Sequence, residues 1–283
     1  MDRFAFSLAQ NIQIINPNAK SWCRRLWWDF YGLKKWCQQN NIQPALLFSL
    51  QSCGSRFFSD IPQIIYYHQP MPIYNNNWNL FNKSQRVLWL KKIVLKYIMQ
   101  LFISDETIFI AQLKTIKKRI QQTFNVLSSQ IKIFYPTIPN DIDYYKVETK
   151  KKIKTNVFNI IYPASEMIYK NHIEIVNAIV HLKHSDYDTS MIRIYFAGVK
   201  YDFSPELYKV IFDEQIVENF IFMGYISRQE MLKLYTTADL LLFPSYIETF
   251  GLPLIEAAKF GLPIGVADEE YAHEVLSNYT GAT

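Results

Sequence analysis

Short apolar runs alternate with longer amphipathic ones through residues 151–283. The runs at 157–162 (VFNIIY), 191–197 (MIRIYFA), 220–223 (FIFM), 239–243 (DLLLF) and 263–267 (PIGVA) have strand length and little polar alternation. That is the pattern of parallel strands buried on both faces. Helical periodicity falls between them, near 171–184, 204–212, 228–237 and 253–260. Strand and helix in turn predict repeated βαβ units and a doubly wound parallel sheet. The first half shows the same alternation more loosely. Ser21 to Gln39 reads as a helical stretch dense in Trp and basic residues, and Ala45 to Leu50 and Gln63 to Tyr67 as short strands. Lys83 to Phe102 reads as a long basic amphipathic helix, Thr107 to Ile110 as a strand, and Leu113 to Phe124 as a helix. Ile131 to Tyr135 then closes the unit ahead of Pro136 and Pro139. Residues 141–155 carry a lysine run without periodicity, so the expected division is a domain at 1–140, a linker at 141–155 and a domain at 156–283.

Composition narrows the class. A chain of 283 residues exceeds what one core comfortably fills, which is roughly 250 residues. With 49% hydrophobic residues and a net charge of +5, it is not a disordered chain. Cys23, Cys37 and Cys53 are odd in number and widely spaced, so neither a disulfide framework nor a zinc site is indicated. A reduced, cytoplasmic protein is the expectation. The most apolar stretch, Val87 to Ile103, is interrupted by Lys91, Lys92 and Lys96, which argues against a membrane span. The opening Met1-Asp2-Arg3-Phe4-Ala5 lacks the order of a secretory signal.

Charge is divided unevenly. Residues 1–150 carry 19 Lys/Arg against 8 Asp/Glu, a net of +11, and residues 151–283 a net of −6. The basic stretches Trp22 to Lys35 and Lys83 to Phe102 have two readings. Lysine stems can cover a core face while their heads stay in water. Alternatively, the cations dock on an anionic membrane surface, with Trp22, Trp27, Trp28 and Trp36 at headgroup depth. No stacking platform or recognised motif accompanies the charge, so no nucleic-acid partner is expected.

The segment Phe243 to Gly265, F-P-S-Y-I-E-T-F-G-L-P-L-I-E-A-A-K-F-G-L-P-I-G, carries the most chemical information. A strand ends at Phe243, and Pro244-Ser245 turn the chain at the carboxyl edge of the sheet, where ligands bind in such folds. Gly251 permits close backbone approach, Pro253 suits a first helical turn, and Gly261 and Pro263 end the helix. The amides of Phe250, Gly251 and Leu252 at that helix start suit a phosphate. Glu248 before the helix and Glu256 in its opening turns could each accept two hydrogen bonds from a diol. The plainer reading is a capped helix with one surface glutamate and one that complements the dipole.

Taken whole, the segment resembles the donor-site signature of family 4 glycosyltransferases of the GT-B fold, in which two glutamates separated by seven intervening residues flank F-G-L-P-L. Phe222-Met223-Gly224-Tyr225-Ile226-Ser227, Glu230 and Leu234 to Asp239 follow in the order that the family shows. So do Tyr162-Pro163-Ala164-Ser165 and Lys170-Asn171-His172. The likeness is good over roughly residues 156–275 and only in outline over 20–135. It implies two Rossmann-like doubly wound domains facing a cleft, with a nucleobase pocket at Gly224, Tyr225 and Ile226. Lys170 would meet the diphosphate, Glu256 the ribose and Glu248 the donor sugar. Relatives often carry arginine where Ser165 stands, which points to another donor or another cation in that role. His68, at the end of the strand Gln63 to Tyr67, corresponds to a histidine facing the reacting sugar. His172, His181, His184 and His273 show no metal-ligand spacing and read as surface or capping residues. Asp141-Ile-Asp143 and Asp186-Tyr-Asp188 follow no strand of a nucleotide-binding unit, so neither is a metal-holding pair, and no metal or other cofactor is expected.

The implied activity is a retaining, metal-independent transfer of a sugar from a nucleoside diphosphate to a glycan or lipid-linked acceptor, in cell-surface polysaccharide synthesis. A rival is a weakly active or inactive nucleotide-sugar-binding module serving as a partner or membrane adaptor. A dinucleotide oxidoreductase would need a Gly-rich turn after a first strand, and none is present. By resemblance two such domains need roughly 350 residues or more, so the first domain is expected to be incomplete and the last helices missing.

Overall fold

A computed structural model describes residues 12–17, 21, 24, 27–139, 141–142, 156–200 and 204–283. Trp22, Cys23, Asp143 and nearly all of the expected linker lie outside the described residues. The N-terminal unit begins with a π-helical turn, Trp28–Gly32, running into helix α1, Leu33–Gln39. A Cβ on Gly32 would sit 2.6 Å from the Trp28 ring and 2.9 Å from that of Trp27, so the paired indoles require glycine. Four parallel strands follow: β1 Leu47–Ser49, β2 Gln63–Tyr66, β3 Thr107–Ala111 and β4 Ile131–Ile133, in the spatial order β1-β2-β3-β4. Helix α2 is Lys83–Leu101 and helix α3 is Lys114–Phe124. Ile116, Ile120 and Phe124 fall four residues apart on α3 and bury one stripe, with Phe124 stacked on Phe109 and edge-on to Tyr67.

The C-terminal unit contains β5 Phe158–Pro163, β6 Ile192–Ala197, β7 Phe220–Gly224, β8 Leu240–Phe243 and β9 Ile264–Val266. They form one parallel sheet of order β7-β6-β5-β8-β9. The connecting helices are α4 His172–His184, α5 Pro205–Asp213, α6 Arg228–Thr237, α7 Leu252–Phe260 and α8 Glu270–Val275. Helix starts agree with the side chains present. Ser204 accepts from the Leu207 amide with Pro205 next to it, and Ser227 and Glu230 form a reciprocal capping box. Gly261, at φ 71°, ends α7 in the left-handed region.

Winding in both directions from a first strand is therefore seen in this second sheet, while the first sheet proceeds one way through its four strands. The chain leaves β5 toward β6 and β7, then returns to place β8 on the other side of β5. The connections from β5 and β8 thus lead to opposite sides of the sheet, and the carboxyl ends of these two strands mark the switch point where such sheets bind ligands. Among the described residues no helix is long and apolar enough to cross a membrane. Burial pushes the half-buried Cys53 thiol up to about 12, the behaviour of a packed rather than a reactive cysteine.

One expectation is corrected. His172 is not a surface residue: it is buried at the start of α4, its ring 4.7 Å from Tyr162 and 5.1 Å from Phe196. His181, His184 and His273 are exposed, as expected. Burial, then the nearby Lys170 charge, lowers the His172 pKa from 6.5 to about 4. The unfolded chain then binds the extra proton between those values, so stability is intact above pH 6.5 and lost as pH falls toward 4. The linkage is worth roughly 3 kcal/mol. Urea unfolding across pH 7 to 4 should show this decline in the natural chain, and a shallower one in His172→Phe.

Candidate functional site

The loop after β5 passes Ala164 and Ser165, makes a 3-10 turn over Ile168–Lys170, and enters α4 through Asn171 at φ 59°. The Tyr162 hydroxyl donates to the Lys170 carbonyl and fixes the turn. The loop after β8 is sewn to it: the Tyr246 amide donates to the Tyr169 carbonyl at 3.1 Å, and buried Ser245 donates to the same carbonyl at 3.4 Å. Tyr271, from α8, donates to the Ser245 carbonyl at 2.5 Å. These two loops bring Lys170 Nζ onto Glu248 Oε1. The side chains are only 15% and 12% exposed, so the pair is largely out of water. Burying two charges costs more than a surface pair does, and such a pair persists only where packing and further hydrogen bonds support it.

A second cluster lies between α6 and α7. Glu256, the fifth residue of α7, is buried, with Arg228 Nη1 on Oε1 and the Tyr235 hydroxyl donating to Oε2 at 2.9 Å. Arg228 also meets Asp141 at 3.2 Å. Burial disfavours the guanidinium charge, but hydrogen bonds to Asp141 and Glu256 outweigh it and hold the Arg228 pKa above its usual value. An ionised carboxylate offers about four lone-pair sites, so Glu256 keeps acceptor capacity beyond these two partners.

The other expected donor-site residues take varied positions. Gly224 ends β7 at φ 62°, where its amide and carbonyl bond to Val199 and Gly198. Tyr225 is exposed and Ile226 half-buried beyond it. Gly198 is tight in turn, since a Cβ there would lie 2.9 Å from the Ala164 carbonyl oxygen. Ser165 is exposed at the mouth of the first loop. The Phe250 side chain belongs to the core, so it can offer a ligand its backbone only, and Leu252 is exposed. His68 stands on the other sheet, two residues past β2, exposed, with Nδ1 3.3 Å from Ser52 Oγ. The Ser52 hydroxyl also accepts from the His68 and Gln69 amides at 2.9 and 3.0 Å. The structure thus joins Lys170 to Glu248, and holds Glu256 and His68 in separate sets of contacts.

Arg228, Tyr235, Ser52 and Tyr74, whose phenol reaches the Glu248 backbone, were not legible beforehand. Arg228 did leave a signal: it is the first residue of a helix, where a cation opposes the dipole unless carboxylates compensate. No group of three or more His, Cys, Asp or Glu that could hold a metal occurs among the described residues. A cavity of about 690 Å³ lies elsewhere, between α2, β1 and the π-helical turn, and Gln69 brings its wall next to His68.

Residues 146–282 match the profile of the family described as "Glycosyl transferases group 1". The O-antigen chain mannosyltransferase RfbU of Salmonella typhimurium is 28% identical over 192 residues, which cover 67% of this chain and 50% of RfbU. The alpha-galactosylglucosyldiacylglycerol synthase of Streptococcus pneumoniae is 40% identical over 78 residues, 28% of this chain and 21% of the synthase. Against RfbU, the chain thus spans half the relative's length. Among solved structures, WaaG, a glycosyltransferase involved in lipopolysaccharide biosynthesis, superposes with a TM-score of 0.66 over 93% of this chain and 70% of its own, at 16% identity. Anabaena HepE, in complex with UDP and glucose, gives 0.57 over 86% of this chain and 64% of its own, also at 16% identity. The fold is GT-B.

Gly251 and Gly261 bound α7, both with left-handed φ, at 84° and 71°. An added Cβ would come within 3.2 Å of Leu254 Cδ1 at Gly251 and meet nothing within 4 Å at Gly261. Gly261→Ala should therefore cost about 1 kcal/mol from the backbone alone, and Gly251→Ala about 1 kcal/mol more, read as shifts in urea midpoint at constant slope.

Proposed function

We propose, from the match of residues 146–282 to the group 1 glycosyltransferase profile, that this chain transfers a sugar, with retention at the anomeric carbon, from a nucleoside diphosphate to a glycan or lipid-linked acceptor in surface polysaccharide synthesis. The observation that carries the reading is the meeting of Lys170 and Glu248 at the switch point of the second sheet, beside the helix start at Gly251. Departure of a nucleoside diphosphate leaves negative charge on its phosphates, and donors preplaced for that charge make the largest contribution expected here. Lys170 and the amides around Gly251 supply them. Lys170 meets the phosphates by exchanging part of its contact with Glu248, which leaves that carboxylate to accept from the donor sugar. Glu256 accepts from the ribose with its remaining lone pairs, and the backbone at Gly224, Tyr225 and Ile226 receives the base. Ser165 lines the phosphate side, and His68 reaches the transferred sugar from the facing domain. HepE, solved with UDP-glucose, and RfbU, a mannosyltransferase of O-antigen chains, support a nucleotide sugar and a surface glycan.

A panel of UDP, GDP and ADP with their sugar conjugates should raise the melting temperature for one base. Glu256→Gln should weaken that nucleotide at least tenfold, and Lys170→Gln should lower turnover roughly 10²-fold or more while changing affinity less. Unchanged nucleotide affinity in Glu256→Gln would sink the assignment.

Peripheral membrane contact belongs to the same proposal. On α2, Val87, Leu90, Val94, Tyr97 and Leu101 are exposed and recur at spacings of three and four, so they form one apolar stripe. The helix carries Lys83, Arg86, Lys91, Lys92 and Lys96 and no acidic residue. Such a helix suits an anionic leaflet, with roughly 1 kcal/mol from each nearby cation. Co-sedimentation with vesicles containing phosphatidylglycerol should exceed that with phosphatidylcholine alone, and Val94→Glu should abolish the difference.

A further inference from the structure

The phenol of Tyr74 crosses between the two units to the loop that carries Glu248. It donates to the Glu248 carbonyl at 2.7 Å, and the Glu248 amide points back at the same oxygen at 3.4 Å. One side chain thus meets both peptide groups of a residue 174 positions away. We propose that Tyr74 is a positioning residue: held by the N-terminal unit, it fixes the Glu248 backbone and thereby the place where the Glu248 carboxylate meets Lys170 and the donor sugar. The inference rests on the proposed function and deepens it.

Tyr74 is well suited to that task because it is itself immobilised. It follows the short 3-10 turn Met71–Ile73, whose residues are all buried, and Pro70 and Pro72 limit the backbone there. The Arg119 guanidinium covers its ring at 4.2 Å from the centroid. Arg119 in turn holds Glu270 of α8 at 2.8 Å. Glu274, also from α8, accepts from the amides of Lys114 and Thr115 at 2.7 and 2.9 Å and so caps α3 from the other unit. Nearby, Trp78 lies against Tyr246, with ring centroids 6.3 Å apart. Burial, opposed in part by its bond to the Glu248 backbone and by Arg119, pushes the Tyr74 phenol up to about 12. The group therefore remains a hydrogen-bond donor across the working pH range.

The contact divides the donor site by domain. Glu256, Tyr235 and Arg228 lie within the C-terminal unit, with Asp141 just before it, and do not depend on Tyr74. Glu248 does. A change at Tyr74 is felt at the sugar end of the donor and not at the nucleoside end.

Tyr74→Phe tests this, since it keeps the ring and the Arg119 contact and removes one oxygen. Calorimetric affinities for the free nucleoside diphosphate and for its sugar conjugate, with kcat and KM where turnover is measured, form the readout. The expected result is an unchanged diphosphate affinity, within twofold, with a roughly tenfold loss in kcat or in the extra affinity that the sugar contributes. Arg119→Gln, which loosens the ring from behind, should give a weaker form of the same split. Tyr279→Phe, which removes a hydroxyl bonded to the Leu262 carbonyl outside this seam, should give none of it. A loss shared equally by diphosphate and sugar nucleotide, or no loss at all in Tyr74→Phe, overturns the inference and leaves the functional reading standing. A natural chain that binds none of the three nucleotides overturns the functional reading, and this inference with it.

Discussion

A lysine and a glutamate meet largely out of water beyond the carboxyl ends of the neighbouring strands β5 and β8, and the surrounding structure is organised to make that tolerable. Desolvation works against such a pair, and coulombic attraction alone is a poor guarantee of net stability. Three buried tyrosines supply the additional order. Tyr162 donates to the Lys170 carbonyl, Tyr271 to that of Ser245, and Tyr74 to that of Glu248. Each phenol is held above its ordinary pKa, first by burial, so each remains protonated and can only strengthen its role as a donor. Loops with free carbonyls at a sheet edge would otherwise seek water. Here they are closed by side chains from β5, α8 and the N-terminal unit, and the charged pair is left facing the crevice.

The second carboxylate obeys the same rule with different partners. Glu256 sits in the second turn of α7, too deep to be satisfied by solvent, and Arg228 and Tyr235 reach it from α6. Placing Arg228 at the first position of α6 costs some interaction with the helix dipole. Glu256 and Asp141 return it, and the shared guanidinium thereby ties α6, α7 and the segment entering the linker to one point. A ligand that accepts hydrogen bonds can compete for that guanidinium, and one that donates them finds the unused lone pairs of Glu256.

Much of this was legible from residue order alone where the determinant is local. All five C-terminal strands lie within one or two residues of their apolar runs, because those runs hold few polar residues and stand out from the amphipathic helices between them. Pro253 in the first turn of α7 and Gly261 after its last mark the ends of that helix by chemistry acting over a few residues. What escaped is long-range. The partner of Glu248 is 78 residues distant, its backbone clamp 174, and the partner of Glu256 28, and nothing in spacing encodes such meetings. The burial of His172 is tertiary in the same way: Tyr162 of β5 and Phe196 of β6 pack on its ring, and no local pattern announces that. The π-helical turn at Trp28 likewise depends on how two indoles crowd Gly32, a packing matter rather than a propensity.

The unequal charge of the two halves has an internal explanation as well as an external one. Helix α3 presents Lys114, Lys117, Lys118 and Arg119, and α8 presents Glu270 and Glu274 toward it. Arg119 and Lys118 reach Glu270 at 2.8 and 3.9 Å, and Glu274 closes the α3 N-terminus. Exposed pairs of this kind contribute little to stability, typically under about 1 kcal/mol each. Their value is directional, because a carboxylate on two adjacent amides fixes where α3 points, and α3 carries the arginine that covers Tyr74. Part of the basic excess of the first half is thus matched by the acidic excess of the second across their seam. The cations of α2 lie outside that seam, beside an exposed apolar stripe, and make up the part of the basic excess that the acidic half does not meet.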